Sequence, residues 1–203
     1  CRISVTVHET STGQEYRFVP RGPNLTAAEC GNILGTLRGI EAHWIVASGS
    51  LAPGMPTDFY AQVAGVAAAL GARFVLDTSG SALAASLGHG IFLLKPSLSE
   101  LETIVGRKVR DLGGQMNEAK RLVQSGAADM IALTLGSDGA ILATSERTFH
   151  LPAPPVKVRT GVGAGDSFLA GLVFALGYRS AGWGWAHGAR SRSSGRSPLP
   201  PPC

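Results

Sequence analysis

The sequence predicts an α/β protein with a mostly parallel sheet flanked by helices and a small β hairpin at its start. Three observations predict it. Short apolar runs of strand length alternate with helical segments through the middle of the chain, and parallel strands need crossovers of that kind. The opening residues alternate apolar and polar with a period of two. Late in the chain, a glycine-rich turn feeds an apolar helix. With 203 residues, 44% apolar and 16% charged, the chain is long enough to bury a core and too apolar for wholesale disorder.

Residues 2–8 set Ile3, Val5 and Val7 against Ser4, Thr6 and His8, and after the turn at Thr12-Gly13 residues 15–19 read as a second strand. Thr26 and Glu29 have the spacing of a capping box and open a helix running to about residue 37. Strands follow at 43–47, 74–77, 91–95 and 130–135, with helices after Thr57 and over 79–87, 98–105 and 115–125. Residues 140–144 and 148–151 read as an antiparallel excursion, 152–160 as an extended link and 166–176 as an apolar helix. The expected division is therefore a hairpin at 1–22, an α/β core at 23–178 and a tail at 179–203.

Four arginines (Arg179, Arg190, Arg192, Arg196) and no acid lie beyond Gly177, which explains the net charge of +4. The rest of the chain is close to neutral, and the tail's basic residues are not interleaved with aromatics on a regular element, so no nucleic-acid partner is expected. Cys1, Cys30 and Cys203 are too far apart for a metal spacing or a disulfide framework and suit a reducing cytoplasm. No apolar run has the roughly 18 residues of a membrane helix, and no signal peptide or membrane association is expected. The opening Cys1 in place of Met reads as a cut or processed start. The Arg/Ser/Gly/Pro-rich residues 180–203 keep no period and are expected to be disordered.

The sharpest chemical signal is Gly161-Val162-Gly163-Ala164-Gly165-Asp166-Ser167-Phe168, where the extended link meets the helix. Its glycines leave backbone N–H groups uncovered at a helix N-terminus, where the dipole favours negative charge. Such a nest suits a phosphoryl group gaining charge in a transition state. Asp166 beside it is placed to take a proton from an attacking hydroxyl; Asp is equally a good helix cap. No Gly-x-x-x-x-Gly-Lys-Ser/Thr motif occurs, so this is not a P-loop.

Gly163-Ala164-Gly165-Asp166 resembles the C-terminal signature of the ribokinase-like, phosphofructokinase-B-type carbohydrate kinases. Other segments resemble that family in the same order: Ser48-Gly49-Ser50-Leu51-Ala52-Pro53-Gly54, Asp77-Thr78-Ser79-Gly80, Lys95-Pro96-Ser97-Leu98-Ser99-Glu100 and Thr134-Leu135-Gly136-Ser137-Asp138-Gly139-Ala140. The resemblance runs from residue 2 to about residue 176 and implies an ATP-dependent kinase of a sugar phosphate. Fructose 6-phosphate is the first expectation, with 1-phosphofructokinase or tagatose-6-phosphate kinase activity as close competitors. It implies Asp166 as the base, with Gly163, Ala164 and Gly165 as the anion hole. Arg2, Arg17 and Ser50 would hold the sugar phosphate. Lys95, Ser97, Thr134, Gly136 and Gly139 would approach the nucleotide, and Glu100 would act through water on Mg²⁺. Without the resemblance, the two arginines read as solvated strand charges. Lys95 then reads as a strand-end lysine and Glu100 as a first-turn helix acid.

The resemblance further implies a lid used for homodimer contact. An isolated amphipathic hairpin is unstable in water and must pack on something. Three departures stand against full competence. Ser97 takes the place of the family's usual Asn. The family's N-terminal part, with its Gly-Gly-Lys-Gly-x-Asn segment, has no counterpart here. Residues past 180 resemble the reading of a shifted frame rather than the family's adenine-covering helices. Weak or absent activity of this polypeptide is therefore expected, and a catalytically incompetent fragment or binding module is the competing expectation.

Overall fold

A computed structural model of the chain describes residues 3–156 and 162–180, the last three of these by backbone alone. Arg2, residues 157–161 of the expected link and glycine turn, and the tail from 181 onward lie outside the described residues. By its internal contacts the chain divides into two units, Cys1–Thr160 and Gly161–Cys203.

The first unit opens with an antiparallel hairpin, β1 (Val5–His8) and β2 (Glu15–Phe18). Its turn is tied by the Glu9 carboxylate, which accepts hydrogen bonds from Thr12 at 2.7 Å and Ser11 at 3.0 Å. Val5 pairs with Phe18 and Val7 with Tyr16, so these four side chains share one face of the ribbon. All four are exposed.

Helix α1 (Ala27–Arg38) starts in the expected capping box: Thr26 Oγ1 accepts from the Glu29 N–H, and the Glu29 carboxylate accepts from the Thr26 N–H. A six-stranded sheet follows, in the order β3 (Trp44–Ser48), β4 (Arg73–Asp77), β5 (Leu93–Leu94), β6 (Met130–Thr134), β7 (Ala140–Thr144), β8 (Thr148–Leu151). The first four strands run parallel and the last two are antiparallel, as the sequence predicts. Each parallel connection steps one strand along the sheet in the same direction. Right-handed crossovers therefore place α2 (Phe59–Ala69), α3 (Gly80–Ala84), α4 (Leu98–Val105) and α5 (Leu112–Gln124) on one face. On that face Ile45, Phe74, Leu76, Leu94, Ile131, Leu133 and Ile141 meet Val63, Ala67, Leu101, Ala119 and Val123 in one buried cluster. The parallel strands read as nearly continuous apolar runs because both faces of strands such as β4 are buried.

Two helices of the first unit differ from expectation, and β5 is shorter than the expected 91–95. Helix α5 begins three residues early, because Asp111 caps it by accepting from the Gly114 N–H at 2.8 Å. That cap overrides the weak helix propensity of Gly113 and Gly114. Helix α3 ends short of residue 87: Ser86 turns back to bond the Ala82 carbonyl at 2.7 Å, and the chain reverses at Gly88.

The loop after β3 is clamped to the entrance of α1. The Leu25 N–H donates to the Pro53 carbonyl at 2.8 Å, and Gly54 sits at φ +85° with its missing Cβ only 2.2 Å from the Leu25 oxygen. Gly54→Ala should therefore lower stability by roughly 1–3 kcal/mol. Gly35→Ala in the middle of α1, where a Cβ meets nothing within 4 Å, should instead raise it by about 0.5–1 kcal/mol. Paired thermal melts check this, and equal midpoints for the two variants would contradict the clamp.

Candidate functional site

Parallel strands deliver their carboxyl ends to one edge of a sheet, where open α/β folds bind ligands. Here the four parallel strands end, side by side, in the segments Ser48-Gly49-Ser50, Asp77-Thr78-Ser79-Gly80, Lys95-Pro96-Ser97 and Thr134-Leu135-Gly136. Ser50, Lys95, Ser97, Glu100, Thr134, Gly136 and Gly139 are thus brought to one rim.

At the end of β3, the Gly49 N–H donates to the Asp77 carbonyl at 2.8 Å. The Gly49 carbonyl accepts from Tyr60 Oη at 2.9 Å and Thr78 Oγ1 at 2.8 Å. Burial pushes the Tyr60 phenol upward, and the nearby Asp77 carboxylate adds to this while the Thr78 hydrogen bond opposes it. Ser50 itself is exposed at the rim.

At the ends of β4 and β5, Lys95 Nζ lies 3.1 Å from Asp77 Oδ1, with side chains only 8% and 17% exposed. An ammonium so buried needs a nearby anion to offset its lost hydration. The Lys95 backbone N–H also bonds the Leu76 carbonyl at 3.0 Å, so the pair fastens two adjacent strand ends.

Ser97 caps α4. Its hydroxyl accepts from the Glu100 N–H, while Glu100 Oε2 accepts from the Ser97 N–H at 2.7 Å. The capping box thereby holds the Glu100 carboxylate at the helix start. A cavity of about 410 Å³ opens beside it between α3 and α4, floored by Leu83, Leu87 and Ile104 and rimmed by Ser79, Ser99 and Glu100. The loop into α4 is joined to β6 by a Ser97–Thr134 bridge and by a Thr134 N–H bond to the Pro96 carbonyl at 2.9 Å.

After β6 a 3₁₀ turn (Gly136–Asp138) leads into Gly139. At φ +96°, a Cβ on Gly139 would lie 2.0 Å from the Leu151 oxygen. Only glycine lets this turn close on the end of β8.

In the second unit, α6 (Ala164–Ser180) follows a turn at Gly163 (φ +77°), whose carbonyl accepts from the Ser167 N–H at 2.9 Å. Asp166 occupies the first turn and is exposed. First-turn N–H groups have no acceptor within a helix, so the amides of Gly163, Ala164 and Gly165 lack an intrahelical acceptor. Arg17 lies on the polar face of the hairpin with its Nε 3.3 Å from Ser4 Oγ.

The profile of the pfkB family carbohydrate kinases matches residues 5–179. The chain belongs to that family. The ATP-dependent 6-phosphofructokinase isozyme 2 of Mycobacterium tuberculosis is 40% identical over 184 residues, covering 90% of this chain and 53% of that protein. The 1-phosphofructokinase of Bacillus subtilis is 32% identical over 173 residues, covering 85% and 56%. Among solved structures, phosphofructokinase-2 from Escherichia coli in complex with fructose-6-phosphate superposes with a TM-score of 0.80 at 34% identity, covering 87% of this chain and 58% of that one. The chain spans about half the length of the curated relatives it matches. Reading the pfkB motifs from sequence located the rim but missed Tyr60, and left Asp77 and Thr78 without roles. Their signal was present in Asp77-Thr78-Ser79-Gly80; their contacts depend on which strands are neighbours.

Lys95→Met, which leaves Asp77 buried without its cation, should destabilise the fold by about 3–5 kcal/mol. The double variant Lys95→Met/Asp77→Leu should recover much of that loss. Urea titrations check this, and a Lys95→Met midpoint equal to that of the parent would refute the role given to the pair.

Proposed function

We propose that this pfkB family chain serves an ATP-dependent sugar-phosphate kinase that converts fructose 6-phosphate to fructose 1,6-bisphosphate. The observation that carries the reading is the arrival of four family motifs, in order, at the carboxyl ends of four neighbouring parallel strands. Phosphoryl transfer asks a protein mainly for positioning and for donors aimed at developing charge. Asp166 takes the proton from the attacking sugar hydroxyl. The amides of Gly163, Ala164 and Gly165 donate to the oxygens of the migrating phosphoryl. Arg2, Arg17 and Ser50 orient the sugar phosphate, and Lys95, Ser97, Thr134, Gly136 and Gly139 border the nucleotide.

No cluster of three or more His, Cys, Asp or Glu able to hold a metal occurs among the described residues. Mg²⁺ commonly keeps several waters and leans on one or two carboxylates plus substrate phosphates, so Glu100 alone fits a contact through water. When bound with ATP, the ion neutralises phosphate charge. The Ser97 N–H holds one Glu100 oxygen and sets the direction of the other.

The kinase is cytoplasmic in this reading; among the described residues no helix is long and apolar enough to cross a membrane. Residues 1–22 form its lid, 23–178 its core and 179–203 an atypical tail. The exposed Val5, Val7, Tyr16 and Phe18 on one hairpin face support a homodimer through the lid, and one Escherichia coli phosphofructokinase-2 structure is described as a tetrameric inhibited form.

The test measures ADP release with fructose 6-phosphate, fructose 1-phosphate, tagatose 6-phosphate, ribose and adenosine. It is run on the 203-residue chain and on the protein expressed from its full reading frame. Fructose 6-phosphate should give the highest kcat/KM. Asp166→Asn should lower kcat by roughly 10²–10⁴ while Mg²⁺·ATP still raises the melting temperature. Turnover of ribose or adenosine alone would defeat the substrate reading; no melting shift with Mg²⁺·ATP in either protein would favour a module without catalysis.

A further inference from the structure

The first unit contains one backbone oxygen held in an unusual way. The Gly49 carbonyl, just past the end of β3, accepts from two buried hydroxyls on different elements. One is Tyr60, second residue of α2, at 2.9 Å; the other is Thr78, first residue after β4, at 2.8 Å. Tyr60 and Thr78 are 8% and 3% exposed, whereas Gly49 and Ser50 lie at the exposed rim. A carbonyl oxygen has two lone pairs, and both are occupied here. The Gly49 N–H is also committed, to the Asp77 carbonyl at 2.8 Å.

These three bonds determine more than the place of Gly49. The Gly49 carbonyl belongs to the same planar trans peptide as the Ser50 N–H, and no peptide in the described chain is cis. Aiming the oxygen inward at the two hydroxyls therefore turns the Ser50 N–H the opposite way and sets the exit direction of the Ser50 Cα. A loop of exposed small residues would otherwise sample many conformations. Thr78 directly follows Asp77, so the same loop is joined to the end of β4 that the buried Asp77–Lys95 pair holds against β5.

We infer that Tyr60 and Thr78 are positioning residues that set Ser50 for the phosphorylated sugar, sharing that task through the single Gly49 carbonyl. The inference rests on the kinase reading above. Because either hydroxyl can still satisfy the carbonyl when the other is lost, the two act redundantly. Energetic coupling between groups that share a partner is the expected signature.

The experiment compares Tyr60→Phe, Thr78→Val, the double variant and Thr78→Ser in the protein expressed from its full reading frame. Each single variant should raise the KM for fructose 6-phosphate by about two- to threefold, and the double variant by tenfold or more. The KM for ATP should stay within twofold in all four, and Thr78→Ser should behave as the parent. Hydrogen–deuterium exchange of residues 48–54 should accelerate in the double variant while that of residues 130–134 does not. If exchange accelerates but the KM for fructose 6-phosphate stays within twofold, the hydroxyls serve only the fold and the inference falls. Equal rises in both KM values, or strictly additive single effects, would overturn it as well. If the unmodified protein turns over none of the sugar phosphates, the kinase reading fails first and the inference with it. Turnover by the parent with unaltered variants defeats the inference alone.

Discussion

Asp77 and Lys95 form a buried ion pair at the ends of adjacent parallel strands, and the rim of the sheet is organised around it. A lysine at the end of a buried strand is tolerable only with an anion at hand. Its partner stands at the last position of β4. Once paired, the two residues hold the loops after β4 and β5 side by side. The loop after β3 joins them because the Gly49 N–H bonds the Asp77 carbonyl. The loop after β6 joins because the Thr134 N–H bonds the Pro96 carbonyl. Four loops with different sequences are thereby spliced through backbone bonds into one surface.

That arrangement suits phosphoryl transfer, in which positioning matters more than covalent participation by the protein. Backbone donors and capped helices cost little reorganisation when charge develops. Ser97 illustrates the point. In place of the Asn common in the family, it keeps a capping box that holds Glu100 at the start of α4.

Much of the fold was legible from residue pattern. The period-two hairpin, the capping box at Thr26, and the apolar strand runs each report a local preference that the tertiary structure did not overturn. The misjudged ends of α3 and α5 came from single hydrogen bonds, one at Ser86 and one at Asp111, that outweigh the propensity of the residues around them. For the site, motif order located the rim, since a motif following a parallel strand must lie at its carboxyl end. Motifs did not disclose Tyr60, a residue inside an apolar helical run with nothing in its neighbours to mark it.

By itself, then, the sequence determined which segments become strands and helices, because each depends on neighbours a few positions away. Only the tertiary structure decided that Lys95 meets Asp77, and that Tyr60 and Thr78 converge on one oxygen. Those contacts join residues 18, 11 and 29 positions apart in the chain. They exist because β3, β4 and β5 are laid side by side by crossovers of one hand, a constraint of chirality and packing that no local pattern records.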